Sequence, residues 1–127
     1  MKNVIYSLAA LLLAAGSPFL FSNQHQNLTM EKGKIVELVI YKVKADQAHN
    51  FSLIIDQVNE AVKTFDGFIA RSVHQSPDDP TLLMDYVTWE SLEQAKAAAR
   101  HMQGLESMRP FMEAIEEIQT FTHFEIK

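Results

Sequence analysis

Between Lys34 and Lys44 the chain reads KIVELVIYKVK, a run of β-branched and aromatic residues with apolar side chains on both faces. Alternation puts Val36, Leu38 and Ile40 on one side and Ile35, Val39 and Tyr41 on the other. A strand of this kind must be covered from both sides. Whatever fold the chain adopts therefore has to supply two apolar layers around this strand.

The rest of the body supplies the first of them. Ala48, Phe51, Ile55, Val58, Val62 and Phe65 recur at spacings of 3, 4, 3, 4 and 3, the signature of an amphipathic helix. Asp46 is placed to cap its start, and Gly67 to end it as a left-handed cap. Phe68–Gln75 and Thr81–Trp89 read as strands joined through the turn residues SPDDP at Ser76–Pro80, hence as a hairpin. Ser91 and Gln94 form a capping-box pair ahead of a helix whose apolar stripe is Leu92, Ala95, Ala98, Ala99 and Met102. Gly104 interrupts it. Pro110 suits the first turn of a shorter helix carrying Phe111, Met112 and Ile115. Gln119–Ile126 alternates and closes the chain as a fourth strand.

The order β-α-β-β-α-β, with a split second helix, predicts an α+β ferredoxin-like domain: a four-stranded antiparallel sheet with helices on one face. The other face is left bare. Apolar surface of that extent is rarely left in water, so a symmetric homodimer with its sheets face to face is expected.

Residues 1–30 are a different kind of sequence. They hold one charge, Lys2, while all sixteen acidic residues stand at or after Glu31. Val4–Ala15 is an apolar run followed by small residues, the pattern of a secretory signal peptide within residues 1–22. An uncleaved membrane anchor is an alternative, since Val4–Ser22 is about long enough to cross a bilayer. A start at Met30, giving a cytosolic protein, is another. Residues 23–33 read as a linker and residues 34–127 as the domain. The expected location is outside the cytoplasm, periplasmic or extracellular, with no stable membrane association once the leader is removed.

The 127 residues suit one domain. With no cysteine, disulfide scaffolds, thiol nucleophiles and thiolate zinc sites are excluded. The net charge of −5 argues against a nucleic-acid partner. The five histidines lack ligand spacing, so no metal site is expected.

Several of these segments resemble the antibiotic biosynthesis monooxygenase-like family of the dimeric α/β-barrel superfamily. They are the opening strand IVELVIYKV, the FDGF turn at Phe65–Phe68, the DYVTWESLEQA junction at Asp85–Ala95 and SMRPFMEAI at Ser107–Ile115. The resemblance implies a pocket between sheet and helices. It also implies cofactor-independent monooxygenation of a small aromatic or quinol-type substrate, with neither metal nor flavin. Trp89 occupies the strand-end tryptophan position of the superfamily. Haem-degrading members carry a second tryptophan where this chain has Ala97, and a strand-one asparagine for which Glu37 is the polar residue this strand offers.

From this the candidate site is His101 as general base, with Trp89, Tyr86, Glu37 and Met102 shaping the pocket. His101 lies about 120° from the centre of its helix's apolar stripe, so a solvent-facing role is the competing reading. Glu37 and Arg71 are read as a possible ion pair between strands. His74 and His123 are read as surface strand residues with Asp85 or Arg71 as partners. The alternative functions are a non-catalytic module binding a hydrophobic small molecule and a stress-associated dimer with a collapsed pocket. A cavity near 300 Å³ separates the last of these from the others.

Overall fold

The computed structural model describes residues 31–127. The leader read at residues 1–22 and most of the linker lie outside the described residues. In chain order the elements are β1 (Ile35–Val43), α1 (Phe51–Val62), β2 (Phe68–Gln75), β3 (Leu82–Trp89), α2 (Leu92–Met102), α3 (Arg109–Ala114) and β4 (Ile115–Glu125). The four strands form one antiparallel sheet in the order β2-β3-β1-β4. This is the expected ferredoxin-like α+β arrangement.

β3 shows the alternation most cleanly. Leu83, Asp85, Val87 and Trp89 are buried on the helix-facing side, while their neighbours Leu82, Met84, Tyr86 and Thr88 are half-buried on the other. On β1 the same side takes Ile35, Glu37, Val39, Tyr41 and Val43. The apolar core under the helices is divided into two clusters. One gathers Ile35, Val62, Val87, Trp89, Ala95 and Ala98. The other gathers Tyr41, Val43, Phe51, Leu83 and Ala114. Ala95 and Ala98 have no bulk beyond Cβ, which lets α2 lie close over Trp89 in the first cluster. Tyr41, Phe51 and Phe111 meet edge to face or tilted in the second, with centroids 5.6 to 6.2 Å apart.

Three local expectations need correction. Asp46 is exposed and does not cap α1. A single 3-10 turn at Ala48–Asn50 precedes the helix, set by the backbone bonds Gln47 N–H to Lys44 and Asn50 N–H to Gln47, and no side chain caps either the turn or α1. Gly67 does not cap α1 either. The helix stops at Val62 and unwinds through the bonds Thr64 N–H to Ala61 and Phe65 N–H to Val62. β4 begins at Ile115, four residues earlier than its alternation begins, because register shifts between Ile40 and Tyr41 and between Lys42 and Val43 break the pattern there. The Ser91 cap is as expected: its Oγ accepts the Gln94 N–H at 3.2 Å.

Gly67 has a different task. Its φ is +80°, and a Cβ there would run into the side chain of Gln94 on α2. Its carbonyl accepts the Glu90 N–H at 2.8 Å, locking the start of β2 to the end of β3. Gly67→Ala is therefore expected to destabilise the fold by about 1–3 kcal/mol, combining left-handed strain with the displaced Gln94. Urea unfolding followed by circular dichroism measures this, and an unchanged midpoint would contradict it.

Candidate functional site

Each strand places one ionisable residue on the helix-facing side near the middle of the sheet. The register sets Arg71 of β2 opposite Val87, Val87 opposite Glu37 of β1, and Glu37 opposite His123 of β4. Asp85 of β3 stands one step along, opposite Val73 and Val39, and so diagonal to both Arg71 and Glu37. This row lies between the two apolar clusters.

The row resolves into two hydrogen-bonded groups. Arg71 donates from Nε and Nη2 to Asp85 Oδ2 at 2.9 and 2.6 Å. Its Nη1 donates to Asn59 Oδ1 of α1 at 2.6 Å and to the Ile55 carbonyl at 3.4 Å. Tyr41 completes the set by donating its hydroxyl to Asp85 Oδ1 at 2.8 Å. The side chains of Arg71 and Asp85 are only 3% and 8% exposed. Burial, and then the Asp85 carboxylate, push the Tyr41 phenol far above its ordinary value, so it stays a donor. The second group is Glu37 and His123, with Oε2 and Nε2 2.9 Å apart. Burial raises the Glu37 carboxyl above its ordinary range. The His123 hydrogen bond and charge oppose that shift, and the charge of Asp85 adds to it.

Above this row is a cavity of about 280 Å³ between sheet and helices. Glu37, Arg71 and Asp85 form its polar floor, and Val62, Met102, Met108 and Phe111 are among its apolar walls. Ile118 and Phe121 also line it while being 49% and 50% exposed, so the cavity opens along β4, which the helices leave uncovered. Among the described residues no group of three or more histidine, aspartate or glutamate side chains could hold a metal ion.

The five sequence-derived site residues fall in four places. Glu37 and Met102 line the cavity. Trp89 is sealed in the core, edge-on to Phe68, and its Nε1 finds no hydrogen-bond partner among the described residues. Tyr86 lies on the opposite, helix-free face of the sheet. His101 is exposed on α2, stacked obliquely near Phe65 at 6.1 Å between centroids, and is not a lining residue. The expected Glu37–Arg71 pair does not form, because β3 lies between β1 and β2 and its Asp85 takes the guanidinium. His123 pairs with Glu37 rather than with Asp85 or Arg71, and exposed His74 meets Ser72 Oγ at 3.0 Å. Sequence reasoning missed Asp85 as a floor residue. The signal was present: it is the one charged position in the buried set of the LLMDYVTW strand.

Residues 35–114 match the family model of the antibiotic biosynthesis monooxygenases. The chain belongs to that family. The match ends with α3, so β4 and its His123 lie beyond it. Solved structures agree on the fold. A protein of Bordetella bronchiseptica named for these monooxygenases superposes with a TM-score of 0.66 at 18% identity, over 76% of this chain and 99% of its own. A namesake from Nitrosomonas europaea gives 0.63 at 20% identity, over 75% and 91%. SnoaB of Streptomyces nogalater, a cofactor-independent oxygenase, gives 0.55 at 12% identity, over 75% and 92%. No curated protein matches the sequence.

The Arg71–Asp85 pair has a measurable energetic signature. Asp85→Asn strands a buried guanidinium and is expected to cost about 3–5 kcal/mol, whereas the double variant Arg71→Met, Asp85→Leu costs less than that single change. Denaturant unfolding of the two variants tests this, and a double variant weaker than the single one would contradict it.

Proposed function

We propose that this family member is a cofactor-independent monooxygenase whose substrate is a small aromatic or quinol-type molecule bound in the cavity over Glu37, Arg71 and Asp85. The observation that carries the reading is the cavity itself: mostly apolar walls closing on a few fixed polar groups, the usual form of a small-molecule site. Its volume of about 280 Å³ argues against a collapsed interior. Family membership and the fold shared with SnoaB support oxygen chemistry in general. In this reaction the substrate supplies the electrons. One oxygen atom becomes a carbonyl on a ring carbon, and the other leaves as water with two hydrogens taken from the substrate. The protein contributes a dry, shaped space and a proton acceptor. That acceptor is better sought on the cavity floor than at exposed His101.

The test is oxygen uptake with a naphthohydroquinone as substrate and metal chelator present. Protein-dependent uptake is expected. Met102→Trp, which fills the cavity, should lower it by roughly tenfold or more, while His101→Ala changes it by less than about twofold. No uptake together with saturable binding of the quinol would favour the non-catalytic reading. That reading draws support from the Arg71–Asp85 pair, which is already complete without a ligand.

We also propose that the helix-free face of the sheet is the interface of a homodimer. It gathers Val36, Leu38, Ile40, Met84 and Tyr86, with Phe124 56% exposed beside Val36. The leader at residues 1–22 would carry the protein out of the cytoplasm. Light scattering at micromolar concentration should give twice the chain mass, and Leu38→Asp with Phe124→Asp should return the mass of a single chain. A wild-type monomer would refute the interface.

A further inference from the structure

The two ionic groups on the cavity floor differ in what they leave free. Each of the three guanidinium nitrogens of Arg71 is engaged, by Asp85, Asn59 or the Ile55 carbonyl. Both oxygens of Asp85 accept hydrogen bonds, one from Tyr41 and the other from Arg71. Glu37 is different. Its Oε2 meets His123, while its Oε1 accepts no hydrogen bond from the described residues, although its side chain is only 10% exposed and the residue lines the cavity.

An unfilled acceptor on a buried carboxylate is costly unless something donates to it. The charge around it selects what that donor is. Facing Glu37 are His123 on β4, Asp85 on β3 and, beyond it, Arg71 on β2. The helix residues lining the cavity carry no charge. Arg71 is matched by Asp85, so an incoming anion would meet the Glu37 carboxylate with no guanidinium free to receive it.

The geometry points to Glu37 Oε1 as the acceptor for one hydroxyl group of a neutral, otherwise apolar ligand, with His123 holding the carboxyl group in place. This rests on the cavity being the ligand site, and it adds a selectivity: hydroxyl donors bind, their ethers bind less well, and carboxylates are rejected. Burial holds the Glu37 carboxyl above its ordinary range, consistent with a group that has lost hydration and has His123 as its hydrogen-bond partner. His123 is a positioning residue, reaching the ligand only through Glu37.

Isothermal titration of the full-length protein with naphthol, its methyl ether and naphthoate tests this. Naphthol should bind roughly tenfold more tightly than the ether, as expected for a hydrogen bond to a charged acceptor, and naphthoate should bind most weakly. Met102→Trp should block all three. Glu37→Met should abolish the preference for naphthol over the ether. Should that variant fail to fold by circular dichroism, Glu37→Gln serves: it keeps the volume, and naphthoate affinity should rise by roughly tenfold as the negative charge is lost. His123→Phe should lower the naphthol-to-ether ratio, and His123→Gln, which keeps a donor, should restore most of it. If Met102→Trp blocks binding but the Glu37 variants leave the ligand order unchanged, or if naphthoate binds best to wild type, the role of Glu37 is overturned and the cavity reading stands. If no probe binds, or Met102→Trp changes nothing, the cavity reading falls and this inference with it.

Discussion

The buried contact between Arg71 and Asp85 sets the conditions for the rest of the molecule. A carboxylate and a guanidinium held at 2.6 Å under the helices have given up nearly all their water. They are tolerable only if every remaining lone pair and proton is matched. The fold arranges this matching from three directions. Tyr41 arrives from β1, Asn59 and the Ile55 carbonyl from α1, and the hairpin of β2 and β3 brings the two charges side by side. Each of those elements is thereby fixed relative to the others, so the polar floor is also a brace between sheet and helix.

The same constraint explains why the core is split and why a cavity sits where it does. Apolar side chains fill the two ends of the helix-sheet interface, one around Trp89 and one around Tyr41 and Phe51. Between them the strands set Arg71, Asp85, Glu37 and His123 among the valines Val39, Val73 and Val87. Over Trp89, Ala95 and Ala98 let α2 approach the sheet. Over the charged row, Met102, Met108 and Phe111 stand around a space instead of filling it. Methionine is suited to such a wall, being unbranched and able to repack around different shapes.

Much of the fold was legible because strand alternation and helical spacing are local properties. β2 is the octet FIARSVHQ, β1 is a residue shorter than read at each end and β3 at its start, and Ser91 caps α2 as its type and position imply. What was not legible depends on strand order or on competition for a backbone group. Arg71 and Glu37 invite pairing in the sequence because both are polar residues in apolar strands. Only the order β2-β3-β1-β4 reveals that Asp85 intervenes and that His123 is the neighbour left for Glu37. Asp46 has the right chemistry for a cap, but a 3-10 turn at Ala48–Asn50 intervenes and moves the start of α1 to Phe51, out of its reach.

The histidines show why residue type alone misleads about a site. His101 has the chemistry of a base and stands on a helix that borders the cavity, but helical phase turns it toward Phe65 and solvent. His123 is in a strand with a ragged start and reads as a surface residue, yet the pleat points it at Glu37 from the one edge the helices do not cover. Glu37 faces the cavity with its side chain 10% exposed, and His123 meets its Oε2 at 2.9 Å from the more open side, 15% exposed. Placing the carboxyl group on β1 and its imidazole partner on the adjacent β4 lets Glu37 stay buried without being isolated, whereas exposed His101 has Phe65 rather than a carboxylate for its neighbour.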